Sequence, residues 1–299
     1  MAHSAGAGVQ PALELTAGRP HAALAPLLQA YWGYRYDAGR PVWRREPPMG
    51  VVTVVLNLGA SFDVGWVSRG PGACHRAREA TGFVAGVHDT AAFTADAGAQ
   101  SGIELNLSPL GAYALLGAPA RVYAREVVDL ADALGPGAGG LVERIAEAPA
   151  WSERFALLDA ALLGRLDTAA LPHPDIARAW SVLAASRGRA GVGQLCRDTG
   201  RSRRLLAAGF GEQVGLPPKT MARILRFRAA LARLRVPGPV SFAEVAADCG
   251  YYDQAHFSRE CADLAGCTPS RLRAEWADDP AQGAAAAGAA AEGAGAAAG

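Results

Sequence analysis

The 299-residue sequence predicts an α+β chain in two parts. The first is a small β-rich, barrel- or sandwich-like domain with helices following it. The second is all-α, with a helix–turn–helix pattern that occurs twice around one long helix. Three observations predict this. From Tyr31 to Leu107 the apolar residues come in short β-branched or alternating runs punctuated by Gly, Pro and Asp. After Pro109 the apolar period changes from two to about 3.6. The charge, 29 basic against 28 acidic residues, is also polarised along the chain. Residues 1–186 sum to −3, residues 187–273 to +8 (14 Arg and the single lysine, Lys219, against 7 acids) and residues 274–299 to −4.

Residues 1–8 are small and polar, and residues 1–20 are expected as a flexible start. Residues 51–58 form a β-branched run closed by Gly59, residues 62–66 alternate, and 83–87 and 103–107 are further short strands. Helices are predicted over 126–134, 141–148, 151–166 and 175–186, with breaks at Gly135-Pro-Gly137, Pro149 and Pro172-His-Pro174. The layout is therefore a β-rich then helical domain over 21–172, a helical domain over 175–277, and an Ala/Gly tail over 280–299. The tail is expected to be disordered because its glycines interrupt it and it has no apolar face to bury.

The informative segment spans 192–276. Leu195-Cys-Arg-Asp-Thr-Gly200 reads as a short helix and turn, Ser202 as a cap, and 203–210 as a second helix. Some 50 residues on, Phe242 to Gly250 repeats the first helix and turn, Asp253 the cap, and Gln254 to Cys261 the second helix. Gly200 and Gly250 occupy matching turns, where two helices cross closely. Ser241-Phe-Ala-Glu244 has the form of a capping box, and Thr268-Pro269 opens a last helix through Trp276. Phe257, Cys261 and Leu264 share one face, which turns Gln254, His256 and Arg259 outward. Between the copies, Pro217-Pro218 opens a helix to about Arg235. Its stripe of Thr220, Ile224, Phe227, Leu231 and Leu234 repeats at 4, 3, 4, 3, with Lys219, Arg223, Arg226 and Arg233 around it. A rod of that length, roughly 28 Å at 1.5 Å per residue, approaches the ~34 Å repeat of the DNA major groove.

Residues 215–231, residues 246–257 and Gly266-Cys-Thr-Pro269 resemble the DNA-binding domain of AraC/XylS-type transcription regulators. The resemblance covers roughly 85 to 100 residues. It implies two major-groove readers, the helices after Ser202 and Asp253, and a sensing or dimerising N-terminal domain. By the same resemblance the base-reading positions fall at Arg203, Arg204, Ala207 and Ala208, and at Gln254, Ala255, His256 and Arg259. Arg suits guanine and Gln adenine. Ala207-Ala208-Gly209 departs from the polar residues such readers often carry, so less strict reading by the first helix is expected.

The expected DNA-binding residues are Ser202, Arg203, Arg204, Lys219, Gln254, His256 and Arg259. The partners expected are double-stranded DNA, a small-molecule effector in the N-terminal domain, RNA polymerase and a second copy of the chain, with no cofactor, metal or catalysis. The longest apolar stretch, 110–120, is too short to span a bilayer, and no basic start precedes an apolar core, so a cytoplasmic protein is expected. Five cysteines, an odd number, suit a reducing compartment. Cys249, Cys261 and Cys267 lack the close pairs of zinc modules and are expected as packing residues. The alternative is a metal- or cysteine-dependent enzyme fused to a DNA-targeting module; its only candidates are Cys74-His75 and the scattered His21, His88 and His173. Tyr31, Trp32, Tyr34, Tyr36, Trp43 and Trp66 are candidates for pocket walls or strand-face packing.

Overall fold

The computed structural model describes residues 12–67 and 74–278. The chain opens as two stacked sheets. One has six antiparallel strands in the order β1 (Ala12–Ala17), β2 (Leu28–Asp37), β9 (Ala99–Leu107), β4 (Val52–Asn57), β7 (Gly82–Ala85) and β10 (Val127–Asp129). The other has four, β3 (Val42–Glu46), β8 (Ala92–Asp96), β5 (Phe62–Val67) and β6 (Cys74–Ala80).

Alternation on the large sheet decides what lies on either side of it. Val52, Val54 and Leu56 of β4 and Ile103, Leu105 and Leu107 of β9 turn to a core shared with the helices that follow. Val55, Phe83 and Ala85 turn the other way, against Phe62, Val64 and Ala80 of the small sheet. Both faces of β4 are thus covered, which is why its sequence is an apolar run rather than an alternating one.

The helical layer comprises α1 (Pro109–Leu116), α2 (Leu130–Leu134), α3 (Ala138–Glu147) and α4 (Trp151–Leu166). Side chains tie it to the strands. Trp151 Nε1 donates to Glu14 Oε1 at 2.6 Å, and Tyr31 OH to Asp159 Oδ1 at 3.1 Å. Two expectations need correction. The first 20 residues are not wholly a loose start: β1 pairs along its whole length with β2. The helix expected over 126–134 begins as strand, because the β-branched Val127 and Val128 pair with β7; Asp129 then caps α2 by accepting the Ala131 N–H.

The remaining helices are α5 (Pro174–Ala185), α6 (Val192–Thr199), α7 (Arg203–Gln213), α8 (Pro218–Leu234), α9 (Phe242–Asp248), α10 (Gln254–Ala265) and α11 (Pro269–Asp278). The apolar core does not divide at the exposed connection through residues 172–174. Ile176, Leu183, Leu195, Leu206, Phe210 and Ile224 belong to the same core as the large sheet. A second core holds Phe227, Leu231 and Leu234 of α8 with Val245, Phe257, Cys261, Leu264 and Trp276, and Met49 from the β3–β4 turn packs on it. Residues 1–11 and the Ala/Gly tail lie outside the described residues, as do the side chains of Cys74 and His75.

Candidate nucleic-acid interface

Each candidate reader helix is placed by its turn and cap. Gly200 and Gly250 end α6 and the α9 segment with φ of 66° and 77°, the left-handed region that favours glycine. Ser202 Oγ accepts the Leu205 N–H at 3.3 Å and Asp253 Oδ1 the His256 N–H at 2.6 Å, so α7 and α10 start where the sequence places them. The last helix is opened by Thr268 Oγ1, which accepts the Arg271 N–H at 3.3 Å. The long helix has 17 residues, roughly 26 Å.

On α7, Leu206 and Phe210 are buried while Arg203, Arg204, Leu205, Ala207 and Ala208 are exposed. On α10, Phe257, Cys261 and Leu264 are buried while Gln254, Ala255 and Arg259 are exposed. Lys219 is exposed in the first turn of α8. Ser202 faces solvent with its oxygen committed to the cap. His256 differs from the sequence expectation of a free outward side chain. It is half-buried, its Nδ1 accepts the Tyr252 N–H at 3.4 Å, its Nε2 stands 3.7 Å from Glu260, and its ring meets Tyr251 edge-on. The reason is Glu260, a buried carboxylate that also receives Arg223 Nε at 3.3 Å and Arg226 Nη2 at 3.5 Å. Arg223 and Arg226 therefore bind the second motif to α8.

Gly209 also has a different role from the one its helix propensity implies. It points at α5, where a Cβ would overlap Ile176 Cδ1; it lets α7 lie against α5 and takes no part in the outer face. Two exposed groups were not picked out from the sequence: Leu205, 56% exposed on α7, and Tyr252, 93% exposed before α10. Helical phase could have found Leu205, since it lies off the Leu206–Phe210 line. For Tyr252 the sequence offers only a second tyrosine beside buried Tyr251.

A cavity of about 230 Å³ lies between the two sheets. Trp32, Tyr34 and Tyr36, at period two on β2, line it, and Tyr31 faces the opposite core. Trp43 is half-exposed and stacks on Phe93, while Trp66 packs beside His88. Tyr36, Arg44 and Asp96 form a hydrogen-bonded group in its wall. Burial, with Glu46 nearby, pushes the Glu104 carboxyl up to about 8. The cavity also reaches the second domain through Arg228 of α8 and Arg235, which caps the end of that helix seven residues later. Burial lowers Arg228, and no charged group among the described residues opposes the shift. Burial brings Arg235 down to about 10 despite Glu46; its guanidinium lies over Trp276 and its Nε has no hydrogen-bond partner. Sequence reasoning missed this pair, which the spacing of seven would have flagged.

Cys249, Cys261 and Cys267 are buried and unbridged, as packing residues. Among the described residues no group of three or more His, Cys, Asp or Glu is placed to hold a metal ion, and no helix is long and apolar enough to cross a membrane.

Residues 195–275 match the family model described as a helix-turn-helix domain, and residues 17–129 match a domain of unknown function (DUF6597). No curated protein matches the sequence. Among solved structures, the chain is similar to a transcriptional regulator (AraC-type DNA-binding domain-containing proteins) from Chromobacterium violaceum. That match has 25% identity over 36% of this chain and 95% of the other, with a TM-score of 0.32. It is also similar to ToxT from Vibrio cholerae, at 9% identity over 82% of this chain and 97% of the other, with a TM-score of 0.48. The matched residues 195–275 carry both capped helix pairs and the rod between them, so this part of the chain is a helix-turn-helix domain.

Proposed function

We propose that the chain is a DNA-binding transcription regulator of the AraC type that acts without catalysis, by placing α7 and α10 in adjacent major grooves under the control of a small molecule held between its sheets. Arg203, Arg204, Gln254 and Arg259 stand where base edges are read. Ser202, Lys219 and His256 stand at the flanks, where phosphates pass. The β-rich and helical part through residue 172 would serve as the sensing domain and residues 175–277 as the reader.

One observation carries the effector reading: the cavity is walled by aromatic and aliphatic side chains of the sheets and, on one side, by two half-buried arginines, one on the helix that joins the two motifs and one capping its end. A ligand with an apolar body and an acceptor or anionic group would satisfy Arg228 and hold α8 against the sheets. The same reading makes the cytoplasm the place of action. It also makes RNA polymerase and a second copy of the chain the protein partners to seek.

The test is in vitro selection of bound duplex DNA with the full chain, followed by a salt titration of the enriched site. An enriched site whose log affinity falls steeply with log salt is expected. No enrichment, or a slope near zero, overturns the reading.

A further inference from the structure

The outer face of α7 is unusual for a surface that must meet base edges. Over its first two turns it exposes Arg203, Arg204, Leu205, Ala207 and Ala208. Leu205 and Ala208, three residues apart, form one apolar ridge beside Arg204. Leu205 is 56% exposed. Further along, Gly211 adds no side chain, and a Cβ there would meet nothing. Glu212 is tied to Arg121 of the N-terminal domain, which draws its charge away from the ridge. On α10 the corresponding exposed positions are Gln254, Ala255 and Arg259, with both hydrogen-bonding capacity and charge.

An apolar ridge cannot bond the donors and acceptors of the major groove and would strip water from them at a cost. The one apolar feature of that groove is the methyl group on C5 of a pyrimidine, carried by thymine. We propose that α7 reads pyrimidine 5-methyl groups through Leu205 and Ala208, with Arg204 bonding a neighbouring guanine or phosphate, so that this half-site is chosen by methyl contact and the α10 half-site by hydrogen bonds. The inference rests on the reading that α7 enters a major groove. The small side chains of Ala207 and Ala208 let the ridge come close to the methyl. The same chemistry is offered by thymine in unmodified DNA and by 5-methylcytosine, and the two are separated below.

The experiment takes the duplex enriched by the full chain and replaces each thymine singly with deoxyuridine, which pairs identically and lacks the methyl; affinities are read by fluorescence anisotropy at fixed salt. One or two adjacent positions should weaken binding about fourfold each, the equivalent of one buried methyl at ~0.8 kcal/mol. These positions should remain sensitive in Arg259→Ala, which places them outside the α10 half-site. In Leu205→Ser, an exposed substitution whose folding is checked by its melting temperature, the thymine and deoxyuridine duplexes should bind alike at the position Leu205 covers; Ala208→Ser provides the second variant. At the same position 5-methyldeoxycytidine should bind more tightly than deoxycytidine, and by less than thymine if the α7 site is tuned to a T·A pair. An enriched site with no deoxyuridine-sensitive position overturns the proposal. So does sensitivity that persists undiminished in both serine variants, or equal binding of methylated and unmethylated cytosine. Failure to enrich any site would instead count against the groove-binding reading itself.

Discussion

Arg45 is the perturbation that tests how the sheets hold the second motif. It lies on β3, is 5% exposed, and donates from Nε and Nη2 to the two carboxylate oxygens of Glu275 at 2.7 and 3.3 Å and from Nη1 to the Ala265 carbonyl at 2.9 Å. Removing one partner of a buried pair costs about 3–5 kcal/mol. Glu275, however, keeps Arg271 Nε at 3.0 Å and is 23% exposed, so the carboxylate that remains is not bare. Arg45→Met should therefore cost about 2–4 kcal/mol, a fall in Tm of roughly 5–12 °C. The double variant Arg45→Met/Glu275→Leu should recover at least about 1 kcal/mol of the summed single losses.

The loss should also depend on pH. Burial pushes the Glu275 carboxyl up, but the hydrogen bonds and charges of Arg45 and Arg271 outweigh it and hold it below the ordinary range. A lowered folded value contributes stability that is present above the unfolded value, ~4.3, and is lost as pH falls through the folded one. The Tm difference between wild type and Arg45→Met should therefore shrink below about pH 4. Thermal unfolding followed by circular dichroism measures all of this. Melting of Arg45→Met within 1 °C of wild type at pH 7, or strictly additive losses in the cycle, would refute the latch.

The half-buried Glu104 carries the opposite sign. With its carboxyl raised to about 8, folding is favoured most below the unfolded value, and stability drains as pH rises toward 8, so Glu104→Gln should melt higher than wild type at pH 7–8 and alike near pH 4. Gly209→Ala should cost about 1 kcal/mol despite alanine's better helix propensity, because its Cβ overlaps Ile176; Ile176→Val in the same chain should restore the loss in chemical denaturation. Arg204→Ala and Arg259→Ala should each relax preference at one position of the selected site, by roughly tenfold or more; unchanged preference in Arg203→Ala and Arg204→Ala beside its loss in Arg259→Ala would make α7 a phosphate anchor. Iodoacetamide on native protein, mapped by mass, should label half-buried Cys196 ahead of Cys249, Cys261 and Cys267, whose thiols burial pushes up.

The helical half was legible because its signals are local. A glycine in a turn, a Ser or Asp cap and a stripe at spacings of three and four act within one or two helical turns, and they placed α4 and α8 to within a residue or two and the start of α10 at Gln254, though α10 runs on to Ala265. The first part was less legible because its pairing is non-local. β10 reads as helix until β7 offers it an open edge, and β1 has no strand signature beyond its own Leu13 and Leu15. The site divided in the same way. That Arg203, Arg204, Gln254 and Arg259 face solvent follows from helical phase, and their assignment as base readers is what the resemblance implies. His256 and Gly209 could not be assigned without knowing that Glu260 sits against α8 and that Ile176 abuts α7. Nothing local in the sequence separates Arg228 from the other arginines of α8, and only the stacking of sheets on α8 turns it into the wall of a cavity.

The two motifs are held to the sheets by different forces, and the difference bears on control. The first shares one apolar core with the large sheet, through Leu206, Phe210 and Leu216, and separating them would expose that surface at about 25 cal/mol per Å². The second is held by Met49 and by polar contacts, Arg45 with Glu275 and Ala265. Water and phosphate can replace polar partners at little net cost, whereas nothing in solution replaces an apolar core. Arg228 and Arg235 stand on the polar side of this division, the latter stacked on Trp276 of the same helix, α11, that carries Glu275. Under the proposed function, a ligand filling the cavity acts on the contacts that fix α10 and leaves α7 seated, so its occupancy should be felt first at the half-site proposed for Gln254 and Arg259.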